Sequence, residues 1–539
     1  MWPWMVDRAR RQNSSLVQVF MFPFCRPFLF LADAREGYDI LSRRTNEFDR
    51  SLRNAESFSG IIPEHRIAMV TSDPRFKRNK ELMKDLMTPA FLNNVSAGSV
   101  HAVILKLIDL WTAKSTIAQN LAFKASRDIS EAALDIVWAA AFGGPITESI
   151  THAKLGNLSE RKHSKLPDIG TATYEFPSQP PTPRFQALIN VVAAVEISFT
   201  TPVPRLHLAL LKSFTQLGRD FATKDRTIRE EIQKSVARLS IGTESDQNVK
   251  SAMDHMVLRE MRVSEKASRA SDFHSAAMYD ELFGYLIAGH DTSATTLAWT
   301  VKFLSDHPRV QTTLRKHLRS IYPEASAQKR FPEAAEITKT PAPFLDAFLE
   351  ESLRCAHTAP AVMRQATVDT TILGHFVPKG TNIFISARGP GITEPALQEC
   401  EAVRSPSSQA TRARVGVWDD ADVTLFRPER WLKWKSLESR NRDLDDSGDK
   451  DKDFAFADAE FDPRAGPILV FGAGPRGCAG RRLAYLEMRI AVVLLVWAFD
   501  FAKCVPELSS YESELVMSGK PKQCFINLTP LSEVGRNIP

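Results

Sequence analysis

Residues 471–484 read FGAGPRGCAGRRLA, and the four residues before them are Pro467, Ile468, Leu469 and Val470. Gly472, Gly474 and Gly477 make a G-x-G-x-x-G between an apolar, strand-like run and a helix-like one. That is the context of a loop that cradles a pyrophosphate. Cys478 directly follows the third glycine, however, and offers a second reading: a loop that presents a thiolate.

The nucleotide reading fails on the C-terminal remainder of the chain. A dinucleotide fold needs further strand–helix units after the fingerprint and an acid about 20 positions on. Only 62 residues follow Gly477, and the acid after the helix, Asp500, lies 28 beyond Gly472. The thiolate reading accounts for more. A cysteine at the start of a helix beginning near Gly480 meets free amides and the positive end of the helix dipole, which lower a thiol's pKa and suit a metal ligand. The glycines let backbone approach a flat cofactor, and Arg476 can pair with an acidic group on it.

Bulk properties narrow the classes. The 539 residues are 43% hydrophobic and 25% charged, ordinary for a globular chain. A formal charge of +5, with basic residues spread along the chain, argues against nucleic acid. Six scattered cysteines without a C-x-x-C pair speak against a disulfide framework and a structural zinc site, and for reduced, intracellular thiols. No run of 18 apolar residues is present.

The chain reads as mainly helical with a smaller β region in its C-terminal half. Residues 279–307 form the longest expected helix, apolar on more than one face and therefore central, with Pro308 ending it. A second helix is expected over 342–355, broken by His357-Thr358-Ala359-Pro360. Residues 370–386 read as a strand, a turn at Pro378-Lys379-Gly380 and a second strand. Residues 490–499 read as buried helix. The proline-rich 167–184 and the acidic 443–453 read as surface loops.

Three constellations carry further chemistry. Glu351 and Arg354, three apart on an apolar helix, share a face, and a buried pair needs a third partner. Glu47/Arg50, Glu401/Arg404 and Glu533/Arg536 have the same spacing but lack that setting. Ala288-Gly289-His290-Asp291-Thr292-Ser293 puts glycine and hydroxyl residues in the middle of a long helix, where local propensity opposes them. Arg364 follows the 357–360 break.

Phe471, Gly474, Arg476, Cys478 and Gly480 make F-x-x-G-x-R-x-C-x-G, which resembles the haem-binding signature of the cytochrome P-450 monooxygenases. Glu351/Arg354, the Ala288–Ser293 segment and Phe426-Arg427-Pro428-Glu429-Arg430-Trp431 resemble that family's other motifs, and the resemblance spans essentially the whole chain. It implies one domain over 1–539 with an α+β fold, in which the long helix and the cysteine loop sandwich heme b (iron protoporphyrin IX).

By that resemblance Cys478 is the axial iron ligand, and Arg476, Arg364, Phe471, Gly472, Gly480, Ala288 and Gly289 line the cofactor. The helix is expected to be distorted at Gly289. Thr292 donates to bound dioxygen, Asp291 relays protons, and Glu351, Arg354 and Arg430 form a structural network. His290 falls at a variable position and reads as structural.

Two departures stand out. Where the family often has W-x-x-x-R, this chain places Lys80 and Lys84; Lys84 keeps the charge without the guanidinium fork. The N-terminal MWPWMVDRARRQNSSLVQVF reads as a point beyond the membrane anchor and hinge of membrane-bound members, so that the protein is expected either to be naturally unanchored or to lack its first exon in this sequence.

The implied partners are NADPH-cytochrome P-450 reductase, cytochrome b5 as a second donor, and a small apolar substrate, with no nucleic acid. Arg481 and Arg482 are candidate docking residues. A monomer at the endoplasmic-reticulum surface fits the same resemblance; the apolar 187–211 reads as buried in the fold, with peripheral membrane contact as the alternative. DILSRRTNEFDRS, LMTPAF and GVWDDADVTLFRPERWL are most similar to fungal members of secondary metabolism. The competing expectations are an isomerase or dehydratase of the same fold and a non-catalytic haem-binding protein.

Overall fold

The structure, a computed structural model, describes residues 2–21, 26–119, 121–160, 173–177, 180–240, 249–412, 414–436, 456, 458–515 and 517–531. The acidic run 443–453 and much of the proline-rich 167–184 lie outside these.

The fold is mainly helical with a smaller β region. Ala276–Asp306 is the central helix: Ser275 caps it by accepting from the Met278 amide, and His307-Pro308 ends it. It is apolar around its circumference and accordingly buried along most of its length. It packs against Ser126–Phe142, Pro343–Cys355 and the ligand helix Arg481–Ala498. From Ile490 to Ala498 every residue of the ligand helix is buried, at about 1.5–3 kcal/mol for each large aliphatic side chain. One large apolar core joins these helices.

The main sheet runs, in spatial order, Leu16–Val19, Phe28–Leu31, Asn382–Ser386, Ala361–Ala366 and Phe48–Arg50. Phe28–Leu31 pairs parallel with Asn382–Ser386, and the other pairings are antiparallel. Their register sets Arg50 opposite Arg364. The Trp2–Gln12 helix buries Trp2, Met5, Val6 and Ala9 in a satellite core with the sheet's outer strands.

Three expectations are corrected. The β region is not confined to the C-terminal half, since Leu16–Val19, Phe28–Leu31 and Phe48–Arg50 supply three of the main sheet's five strands. The 370–377 segment is itself a hairpin, Thr370–Ile372 against His375–Val377. Leu373 and Gly374 both adopt positive φ (48° and 78°), as a tight two-residue hairpin turn requires. Pro467–Val470 is not a strand. The Trp418 ring occupies the space where Gly466 would carry a Cβ, and its indole donates to the Pro467 carbonyl at 3.2 Å. A side chain therefore holds this run in place of a strand ladder. Among the described residues one helical run, Pro89–Ala118, is long and apolar enough to cross a membrane by length and composition, and half of its apolar window is buried inside the fold.

Candidate active site

The cysteine loop is a closed turn. The Gly472 amide donates to Leu469 at 2.8 Å, Gly477 to Gly474 at 3.0 Å and Cys478 to Phe471 at 2.8 Å. Gly472 and Gly474 lie at φ +61° and +67°, where a side chain is strained. At Gly474 a Cβ would also sit 2.1 Å from the Leu41 carbonyl oxygen, so glycine lets the loop dock on the Ala34–Ser42 helix.

The Cys478 side chain is exposed, and the amides of Gly480 and Arg481 at the helix start point at its sulfur. The expected lowering of the thiol's pKa does not result. Although the sulfur faces open space, the protein packed around it keeps water from much of the thiol and raises its pKa, and the two amides together with Arg66 and Arg481 only partly oppose that. A bound cation would complete what the amides begin.

On the central helix, Ala288 and Thr292 are exposed while their neighbours on the other faces are buried. Four apart, they share one face, and Ser293 beside them donates to Glu487 of the ligand helix. That bond ties this stretch of the central helix to the helix that follows Cys478.

The helix is continuous through this stretch, contrary to the expected distortion at Gly289. The Thr292 hydroxyl donates to the Ala288 carbonyl at 2.6 Å. Gly289 serves packing: a Cβ there would lie 2.7 Å from Val137 Cγ2. Asp291 is buried, accepts from the Ser518 hydroxyl, and pairs with Lys520 at 2.7 Å. Lys520 also reaches Glu196 at 3.1 Å. His290 is held by Ser130, with ring nitrogen to hydroxyl at 3.1 Å.

Arg364, Arg476 and Arg50 converge, each with a guanidinium edge left over. Arg364 Nη2, Arg476 Nη1 and Arg50 Nε are buried and have no partner. Asp49, beside them, accepts from the Thr71 amide at 2.9 Å. Burial, then the neighbouring guanidinium groups, push Arg50 and Arg364 down to about 10 and Arg476 to about 9. Arg66 lies close by but is paired with Glu281 at 2.8 Å. Buried cations in this state call for anions.

Lys84 stands outside this group. Its side chain is 65% exposed and pairs with Glu81 at 3.4 Å, because the helix Pro74–Leu82 stops before it and a separate turn, Lys84–Met87, begins.

Glu351, Arg354 and Arg430 do meet. Arg354 grips Glu351 through two bonds of 2.7 and 2.8 Å, and Arg430 reaches it at 3.2 Å. Trp431 Nε1 and the Arg427 amide also donate to Glu351, and Arg354 donates to the carbonyls of Ile392, Val423 and Leu425. Both Glu351 carboxylate oxygens are satisfied, as a fully buried charge demands.

Sequence reasoning missed Arg50, His65, Ser518 and Lys520. Arg50 had only an E-x-x-R spacing to recommend it, and that pointed to the wrong role. His65 packs its ring where Gly284 of the central helix lacks a Cβ.

The donor set fits an iron porphyrin: an open sulfur at a helix start, a small-residue helix face, and three unpaired guanidinium edges for two carboxylates. The model of the cytochrome P-450 family matches residues 8–390 and 407–525. Cytochrome P-450 monooxygenase TRI13 of Fusarium sporotrichioides is 35% identical over 97% of this chain and 89% of its own length. The monooxygenase xilC of Penicillium crustosum is 34% identical over 98% and 88%. A zebra fish cytochrome P-450 structure with abiraterone superposes with a TM-score of 0.63 at 17% identity, covering 98% of both chains.

These findings define a haem-thiolate enzyme. The chain belongs to the cytochrome P-450 family and is a monooxygenase, with haem held by a cysteine thiolate.

Proposed function

We propose that this monooxygenase inserts one oxygen atom of O2 into a small apolar substrate of fungal secondary metabolism. Electrons come from an NADPH-dependent flavoprotein reductase, with cytochrome b5 as a second donor. The observation that carries the reading is the loop that presents the Cys478 sulfur together with Arg476, whose free edge joins those of Arg50 and Arg364. Bound there, haem supplies oxygen activation, which a thiolate ligand favours.

The chain's own residues supply position and protons. Gly480 and Arg481 amides hold the sulfur, and the three arginines anchor two propionates. Thr292 turns its hydroxyl from Ala288 toward the oxygen site. Asp291 replaces the proton through Ser518 and the half-exposed Lys520, whose second partner, Glu196, continues the route outward.

Arg482 is exposed and offers a cation to an acidic redox partner near the ligand helix. Arg481 is exposed as well and lies over the rings of Phe471 and Tyr485. The helix Pro204–Phe214 shows solvent Leu206, Leu210 and Phe214, one face of side chains four apart. This supports peripheral contact of a monomer with an intracellular membrane such as the endoplasmic reticulum.

The test is the carbon monoxide complex of the reduced protein. A thiolate-type Soret band is expected, and it should vanish in Cys478→Ala. An unchanged band in that variant refutes the assignment.

A further inference from the structure

Seven residues beyond Thr292 the central helix returns to nearly the same angle, about 10 Å further along its axis, and there it carries Trp299. Trp299 is fully buried, and its indole donates to the Gly519 carbonyl at 2.8 Å. The His357 ring lies 4.4 Å from it, centroid to centroid. The residue after His357, Thr358, shares a hydrogen bond of 2.9 Å with Thr296, whose hydroxyl in turn donates to the Thr292 carbonyl.

On its other side Trp299 faces Tyr511, with centroids 6.0 Å apart and planes at 30°. Phe303 fills the corner at 6.1 Å from each ring. Tyr511 is 44% exposed, so the rings run from the buried helix to solvent. Burial and then the Asp306 carboxylate, which faces the Tyr511 hydroxyl, raise the phenol's pKa. Ser509 donates to Asp306 at 2.9 Å. Lys302 stands 4.5 Å above the Tyr511 ring and 3.5 Å from Asp306. Core packing accounts for touching rings. It does not require a phenol at the surface with a carboxylate placed to take its proton.

We propose that Trp299, Tyr511 and Asp306 form an exit path for oxidising equivalents when no substrate consumes them. The inference rests on the haem-thiolate reading. A haem-thiolate monooxygenase supplies the oxidant, formed from O2 or a hydroperoxide. The oxidant takes one electron from the Trp299 ring, and Trp299 takes one from Tyr511. As that electron leaves, the Tyr511 O–H bond breaks and its proton passes to Asp306, leaving a neutral phenoxyl radical. Lys302 above the ring disfavours a positively charged ring, so electron and proton must leave together. A diffusible thiol or ascorbate then returns one electron, and Asp306 returns the proton. A second passage completes the two-electron reduction of the oxidant, whose oxygen leaves as water with the two protons released by the thiol or ascorbate as it is oxidised.

The test uses haem-loaded, substrate-free enzyme mixed with meta-chloroperbenzoic acid and freeze-quenched for electron paramagnetic resonance. A tyrosyl signal is expected in the natural protein and its loss in Tyr511→Phe. Asp306→Asn should slow its appearance, and a nitroso spin trap should mark Tyr511 in peptide mass spectra. A tyrosyl signal of unchanged intensity in Tyr511→Phe, or a trap adduct on Tyr485 in its place, overturns the inference. Both variants are checked first for the carbon monoxide band. Its absence from the natural protein defeats the haem-thiolate reading and this inference together, whereas a normal band with an unchanged radical defeats the inference alone.

Discussion

Arg50 and Arg364 stand directly opposite each other on neighbouring antiparallel strands, and each keeps a buried guanidinium nitrogen without a partner. Like charges in register destabilise a sheet pair. Both groups have folded pKa values near 10, below their ordinary value, so the strain is present at neutral pH and is relieved only as pH rises through that value. Arg50→Gln should therefore raise the thermal midpoint of the haem-free protein. In the holoprotein it should speed haem loss to apomyoglobin by about tenfold or more, the worth of one charged hydrogen bond. Unchanged haem loss would remove Arg50 from the cofactor site.

Thr292 offers a hydroxyl on the exposed stripe of a helix that is otherwise closed. Thr292→Ala should lower product formation by about a hundredfold, the usual scale of a lost proton donor, while NADPH use continues and hydrogen peroxide accumulates. Thr292→Ser should restore coupling. The role fails if product, NADPH use and peroxide all stay as they were.

Glu487 is buried between helices with Ser293 as its hydrogen-bond donor, and burial lifts its pKa to about 7. A carboxyl raised above its unfolded value favours folding fully below that value, near 4.5, and the advantage is lost as pH rises to about 7. Glu281, raised to about 7, acts in the same direction. Thermal midpoints measured from about pH 4.5 to 8, the span of that titration, should fall less steeply in Glu487→Gln than in the natural protein. Parallel curves would show that Glu487 does not titrate in this window.

Leu206, Leu210 and Phe214 are 60%, 50% and 81% exposed on one face of a single helix, an apolar stripe that water does not favour. Changing all three to serine should abolish flotation with phosphatidylcholine vesicles and leave the carbon monoxide band intact. Equal flotation of both proteins would place membrane contact elsewhere.

What the sequence made legible was local. The cysteine loop, the 276–306 helix and the Glu351/Arg354 pair each lie within one element, where spacing in the chain is spacing in space. Arg50 was hidden because a three-residue strand has no periodicity, and only its register with 361–366 brings it to Arg364. Ser518 and Lys520 reach Asp291 across more than two hundred residues from a short hairpin. Lys84 was misplaced for the converse reason: its linear position suggested a partner, but a break in the helix turned it outward. Gly289 looked like a flaw in a helix and is a contact surface for Val137.

The arginine edge has a consequence for the order of assembly. Its members come from residues 50, 364 and 476, the sulfur from 478, and the proposed proton donors from 292 and 518. An emerging polypeptide holds the first anchor long before the last exists. On the proposed assignment, full cofactor capture comes only once residue 478 has been made, and Arg50 waits through the synthesis of more than four hundred residues for a group that arrives from solution.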